Sequence, residues 1–153
     1  MWRVAALIGL LVSGQAFAEG TTAPVYKWTL LDQRDNAYTL NNDAKVLLVA
    51  RSMSAAKLLN AAIEDQPEGY LEARHAVYVA DIEKMPSMIK LVAVPAMRSA
   101  KYRILLDQDG RVATRYGGDR ESVQWLTLKD GVVVNEQRFT DAEKLKQAVE
   151  LAK

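Results

Sequence analysis

Arg51, Ser52, Ser54 and Lys57 fall together where the apolar run Lys45-Val46-Leu47-Leu48-Val49-Ala50 gives way to an Ala- and Leu-rich stretch over residues 53–64. If the run is a strand and the stretch a helix, these side chains surround a helix N-terminus. Its free amides and dipole attract an anion. Two hydroxyls would add donors, and Arg51 and Lys57 would add positive charge. Arg51, Ser52, Met53, Ser54 and Lys57 are therefore a candidate site for a carboxylate or phosphate group of a ligand or partner. The plainer alternative is a serine cap at Ser52, Met53 as packing, and two solvated cations.

The other reactive residue types offer less. The chain has no cysteine, so thiol–disulfide exchange and thiol peroxidation, which need a thiolate, are closed to it. His75 is the sole histidine. It follows Glu72 and Arg74 at the start of a strand-like run, and with no second ligand candidate nearby it reads as structural. Ser52 and Ser54 have no base that can be placed from the sequence. Asp107-Gln108-Asp109-Gly110 has a faint likeness to a calcium loop, but it lacks the fifth acidic position and the closing glutamate and reads as a turn or helix start. Met53, Met85, Met88 and Met97 raise the question of Cu(I), which thioether sulfur suits. Met88 equally fits a core helix position, where methionine is a common filler. No catalytic residue, metal site or cofactor is assigned.

The elements that must position these residues follow from periodicity. Lys27–Leu31 and Ala37–Leu40 read as a hairpin around Asp32–Asn36. Residues 45–50 and 75–80 have the continuous apolar pattern of strands buried on both faces. In the 53–64 helix Leu58, Leu59, Ala62 and Ile63 share the inward face. Pro86 suits the first turn of a second helix. Met88, Ile89, Leu91 and Val92 would form its apolar side, and Pro95 should stop it. Residues 103–106 are a further strand. Residues 111–116 fit either strand or helix. Val123–Leu128 and Val132–Phe139 form a hairpin at Asp130-Gly131. Thr140 and Glu143 make a capping box for a last helix with Leu145, Ala148, Val149 and Ala152 inward. Helices alternate with strands early and the sheet ends antiparallel, which gives an α/β fold with a mixed sheet and helices on both faces.

Residues 1–18 read as a secretory signal peptide: Arg3, an apolar run over Val4–Val12, and small residues in Ala16-Phe17-Ala18, with cleavage after Ala18. As a helix that run rises only about 14 Å, too short to span a bilayer. The expected destination is the periplasm or the medium. Residues 19–153 would form one domain, held by packing alone where small exported domains often use disulfides. Lys and Arg number 20 against 19 Asp and Glu. That balance argues against a general nucleic-acid binder. The stretch carrying Arg98, Lys101, Arg103, Arg111, Arg115 and Arg120 is nonetheless basic; it reads as a solvated face that could meet an acidic partner.

The whole layout resembles the thioredoxin superfamily, in particular the branch holding peroxiredoxins and exported thiol–disulfide carriers. WTLLDQRDNAYTL (28–40) resembles that branch's N-terminal hairpin. KVLLVARSMSAAKLL (45–59) resembles its first core strand and active-site helix. LLDQDGRVATRYG (105–117) with VQWLTLKDGVVV (123–134) resembles the peroxiredoxin strand, helix and final hairpin. The resemblance implies a thioredoxin-like three-layer α/β/α fold with a mixed central sheet and an N-terminal β-hairpin, and it resolves 111–116 as a short helix. It places Met53 and Ala56 where redox members carry two cysteines. Arg120-Glu121-Ser122-Val123 stands where they usually have a cis-proline, so redox activity does not carry over. The expected role is an exported, redox-inactive binding or interaction module for an unknown periplasmic protein or small anionic ligand, with no membrane span after signal cleavage. A second reading is a non-thiol enzyme, since the chain is also similar to secreted bacterial proteins labelled flavin dehydrogenases. No glycine-rich strand-to-helix turn of dinucleotide type supports flavin, and Gly117-Gly118 ends an element. A third is copper delivery, although the copper-delivery relatives bind through cysteines and a histidine.

Overall fold

A computed structural model describes residues 25–152; the signal-peptide expectation at residues 1–18 lies outside them. The elements are β1 (Thr29–Leu31), β2 (Ala37–Thr39), β3 (Val46–Ala50), α1 (Met53–Ile63), α2 (Tyr70–Ala73), β4 (Ala76–Asp81), α3 (Ser87–Met97), β5 (Leu105–Asp107), a 3-10 helix (Ala113–Tyr116), β6 (Val123–Lys129), β7 (Val132–Phe139) and α4 (Ala142–Leu151). One five-stranded sheet has the order β5-β4-β3-β6-β7, and β1-β2 is a separate two-stranded hairpin. β3 pairs in parallel with β4 and antiparallel with β6. The sheet is mixed, as expected, with the most apolar strand at its centre.

Strand alternation divides the core. Val46, Leu48 and Ala50 of β3 and Ala76, Tyr78 and Ala80 of β4 meet Ala55, Leu59, Ala62 and Ile63 of α1 and Leu145 and Val149 of α4. Leu47, Val49, Val77 and Val79 point the other way, onto Trp28 and Leu30 of the hairpin and Val112, Ala113 and Tyr116 around the 3-10 helix. That is why β3 is buried along its whole length. At Asp130 and Gly131, φ is 51° and 82°, the positive pair a tight hairpin between β6 and β7 demands.

Four details depart from the expectations. The cap of α4 is Asp141, whose carboxylate accepts from the amides of Glu143 and Lys144, so the Thr140 capping box does not form; Asp is as good a cap as Thr. β5 starts at Leu105 because the preceding residues are otherwise engaged. The Ile104 amide donates to Gln33 Oε1, Gln33 Nε2 donates to the Tyr102 carbonyl, and the Arg103 guanidinium lies over the Tyr38 ring. Pro95 does not stop α3, which runs on to Met97. Pro95 is exposed, so water can take the bond its missing N–H leaves. The turn then closes with i to i+3 bonds from Arg98, Ser99 and Ala100. Finally, α3 buries none of its residues. Met88, Ile89, Leu91 and Val92, expected to face the core, are exposed.

Candidate functional site

Ser52 sits in extended conformation at the end of β3 and accepts the Ala55 amide through its hydroxyl at 3.1 Å. The same hydroxyl donates to the Arg120 carbonyl and lies 3.1 Å from Ser54 Oγ. Arg120 Nη1 in turn donates to the Arg51 carbonyl at 2.7 Å. The loop before β6 is thereby tied to the start of α1 by two bonds. It is shaped from within by Asp119, whose Oδ1 accepts from the amides of Glu121 and Ser122 and the hydroxyl of Ser122. These bonds, led by that from the Ser122 hydroxyl, hold the Asp119 carboxyl below its ordinary value.

Arg51 is not a solvated cation at the helix start. It is 7% exposed. Strand alternation sends it to the face opposite α1, where Nη2 donates to the Ala113 carbonyl at 2.9 Å. Burial pushes the guanidinium below its ordinary value. Gly118, at φ 105°, passes so close that a Cβ there would collide with Arg51 Nη1. Nearby, Gln124 Nε2 donates to the Tyr116 carbonyl and to Glu136 Oε2, and Arg138 joins Glu136 to Asp119. Asp107, fully buried, accepts the amides of Val112 and Ala113 through Oδ2. Desolvation raises its carboxyl above the ordinary 3.8. Asp107 thus starts the 3-10 helix.

Of the candidate residues, Ser52, Met53, Ser54 and Lys57 stay at the exposed or half-exposed start of α1. Met53 is 52% exposed. What the sequence did not signal is the space beside them. A cavity of about 460 Å³ opens between the start of α1, the end of β4 and α3. A second, of about 450 Å³, continues between α1 and α3. Both have Met53, Ala56, Asn60, Met97 and Ile104 in their walls, so they form one groove. Met85 and Ile89 extend its apolar lining; Ser52, Lys84 and Arg120 rim one end, and Lys57 lies along the other cavity. Tyr78 donates to Asn60 Oδ1 at 3.0 Å and stacks on Tyr102. Burial pushes the Tyr78 hydroxyl well up, so it stays a donor.

The basic stretch 98–120 does not form one face. Arg98 donates to the Gln33 carbonyl, Arg111 to that of Thr29 and Arg115 to that of Lys27. They fasten the N-terminal hairpin to the body. His75 is a turn residue with φ 55°, and its carbonyl accepts from Lys45 and Val46. Among the described residues no group of three or more His, Cys, Asp or Glu side chains could hold a metal ion, and no helix is long and apolar enough to cross a membrane.

No protein-family model matches the chain, and no curated protein matches it in sequence. Solved structures do match in shape. The exposed lipoprotein thioredoxin of Streptococcus pneumoniae has a TM-score of 0.55 at 16% identity, covering 82% of this chain and 98% of its own. Xanthomonas campestris peroxiredoxin Q scores 0.53 at 13% identity, covering 87% and 100%. Peroxidoxin BcpB of Mycobacterium tuberculosis scores 0.52 at 15% identity, covering 84% and 94%. At such identities the likeness establishes the fold alone, a thioredoxin-like α/β architecture with an N-terminal hairpin.

Proposed function

We propose that this chain is a redox-inactive binding module, exported by the signal at residues 1–18, whose single domain over 19–153 takes an apolar segment of a ligand or partner protein in the groove between α1 and α3. The observation that carries this reading is the groove itself. A methionine-lined, largely apolar cleft of about 460 Å³ falls in the ordinary size range of ligand sites. It opens where the resemblance places a redox thiol, and here Met53 stands instead. Thioether side chains adapt to varied apolar shapes. An anionic group on the ligand would meet Lys84 and Arg120 at one end and the start of α1. Arg51 contributes there through its backbone, and Ser52 has already taken one amide of the first turn.

The test uses an apolar anionic dye, anilinonaphthalene sulfonate, and decanoate as its competitor. The protein should bind the dye saturably and release it to decanoate. Met53→Asp, a change at an exposed position, should abolish binding without shifting the melting temperature. Unsaturable binding, or binding unaffected by Met53→Asp, would overturn the reading, as would a yellow chromophore copurifying with the chain, which would point to flavin. A second reading has one observation in its favour: Met53, Met85 and Met97 line the same groove. Titration with Cu(I) under a competing chelator tests it, and a stoichiometric complex lost on Met97→Leu would support copper binding.

A further inference from the structure

We infer that the outward face of α3 is a docking surface for an anionic lipid bilayer. Met88, Leu91, Val92 and Pro95 lie at helical spacing on one side, and the first three are 79%, 76% and 72% exposed. A helix this apolar is ordinarily buried, yet none of its residues is fully buried, and only Val94 and Met97 pack half-buried against the core. Its inner side, Ile89 and Met97, already faces the groove, so the outer side is a separate surface.

Charge identifies the occupant. From Lys84 to Leu106 the sequence carries Lys84, Lys90, Arg98, Lys101 and Arg103 and no acidic residue; Arg98 and Arg103 are held at the Gln33 carbonyl and over the Tyr38 ring, which leaves the lysines. Lys84 and Lys101, before and after the helix, are exposed. The nearest acids in sequence are Glu83, beside Lys84, and Asp107, which is buried; in space Asp35 and Asp109 share a recess with Val94, on the hairpin side of the helix. A second copy docking by the same face would set cations against cations. A partner protein would have to supply a groove for the helix, whereas the lysines before and after it favour an anionic surface. The helix fits a flat interface, into which the apolar residues sink while lysine stems reach the headgroups. Cations near an anionic leaflet each strengthen binding about fivefold. The chain would lie on the membrane without crossing it.

The experiment is cosedimentation of the exported, processed chain with vesicles of phosphatidylcholine alone and of phosphatidylcholine mixed with phosphatidylglycerol. Binding is expected to the mixed vesicles only, and to fall with added salt. Leu91→Asp with Val92→Asp should abolish it, and Lys101→Gln, away from the groove rim, should weaken it about fivefold. These positions are exposed, so the melting temperature of each variant should match the parent's and certify its fold. Met53→Asp should leave vesicle binding intact, which separates this surface from the groove. No binding to either vesicle, equal binding to both, or full binding by the double aspartate variant would overturn the inference. So would a dimer in sedimentation velocity that the double aspartate variant dissolves, since the occupant would then be a second copy.

Discussion

Arg51 and Lys57 carry the same charge and should respond very differently to its removal. Arg51→Ala strips a buried guanidinium from the Ala113 carbonyl and should cost about 2–3 kcal/mol in urea unfolding. Lys57→Ala, at an exposed position, should stay within about 0.5 kcal/mol. The expectation of two solvated cations fails at Arg51 because strand parity turns it to the opposite face of the sheet from α1. Asp107 makes a prediction in pH. Its folded value is raised by burial, so its contribution favours the folded state below 3.8, the ordinary value, and is lost as pH rises through the raised one. The part of the stability that Asp107 carries should therefore fall across that window. Asp107→Asn should flatten this segment of the pH profile. An unchanged profile would mean that Asp107 titrates alike folded and unfolded.

At the scale of elements, Ser52 joins two of them. Its hydroxyl caps α1 and holds the loop at Arg120, so Ser52→Ala should cost about 1 kcal/mol, measured by thermal unfolding. The strands β3 and β4 and the helices α1 and α4 were legible in the sequence because their apolar periods match their burial. The hairpin turn at Asp130-Gly131 was legible because few residues accept positive φ. α3 misled because its composition is that of a core helix while its surroundings leave it uncovered. Periodicity tells which residues share a face, and here it could not tell whether that face has a partner. The groove was illegible for the same reason. It is a space between two elements separated in the chain by α2 and β4. Gln33 was missed as well: a buried amide that bonds Tyr102 and Ile104 across the fold looks in sequence like any loop glutamine.

Across the whole molecule, cohesion is uneven. The sheet is sandwiched between α1 and α4 on one side and the hairpin with the 3-10 helix on the other, whereas α3 hangs at one margin. Amide exchange should be slowest in β3, β4 and β6 and fastest, among the helices of ten residues or more, in α3. Protection of α3 equal to that of α1 would contradict this. The distribution of sulfur has its own consequence. A chain without thiols still reacts with oxidants, through thioethers. Met88 and Met53 stand in solvent, whereas Met85 and Met97 are half-buried. Hydrogen peroxide should therefore convert Met88 and Met53 to sulfoxide first, in a sequence that peptide mass mapping can follow. Each new sulfoxide would place a polar group where the surface is now apolar: one on the outer side of α3, the other at the mouth of the groove. A chain without a single thiol would then still register its redox surroundings, in the wetness of two surfaces.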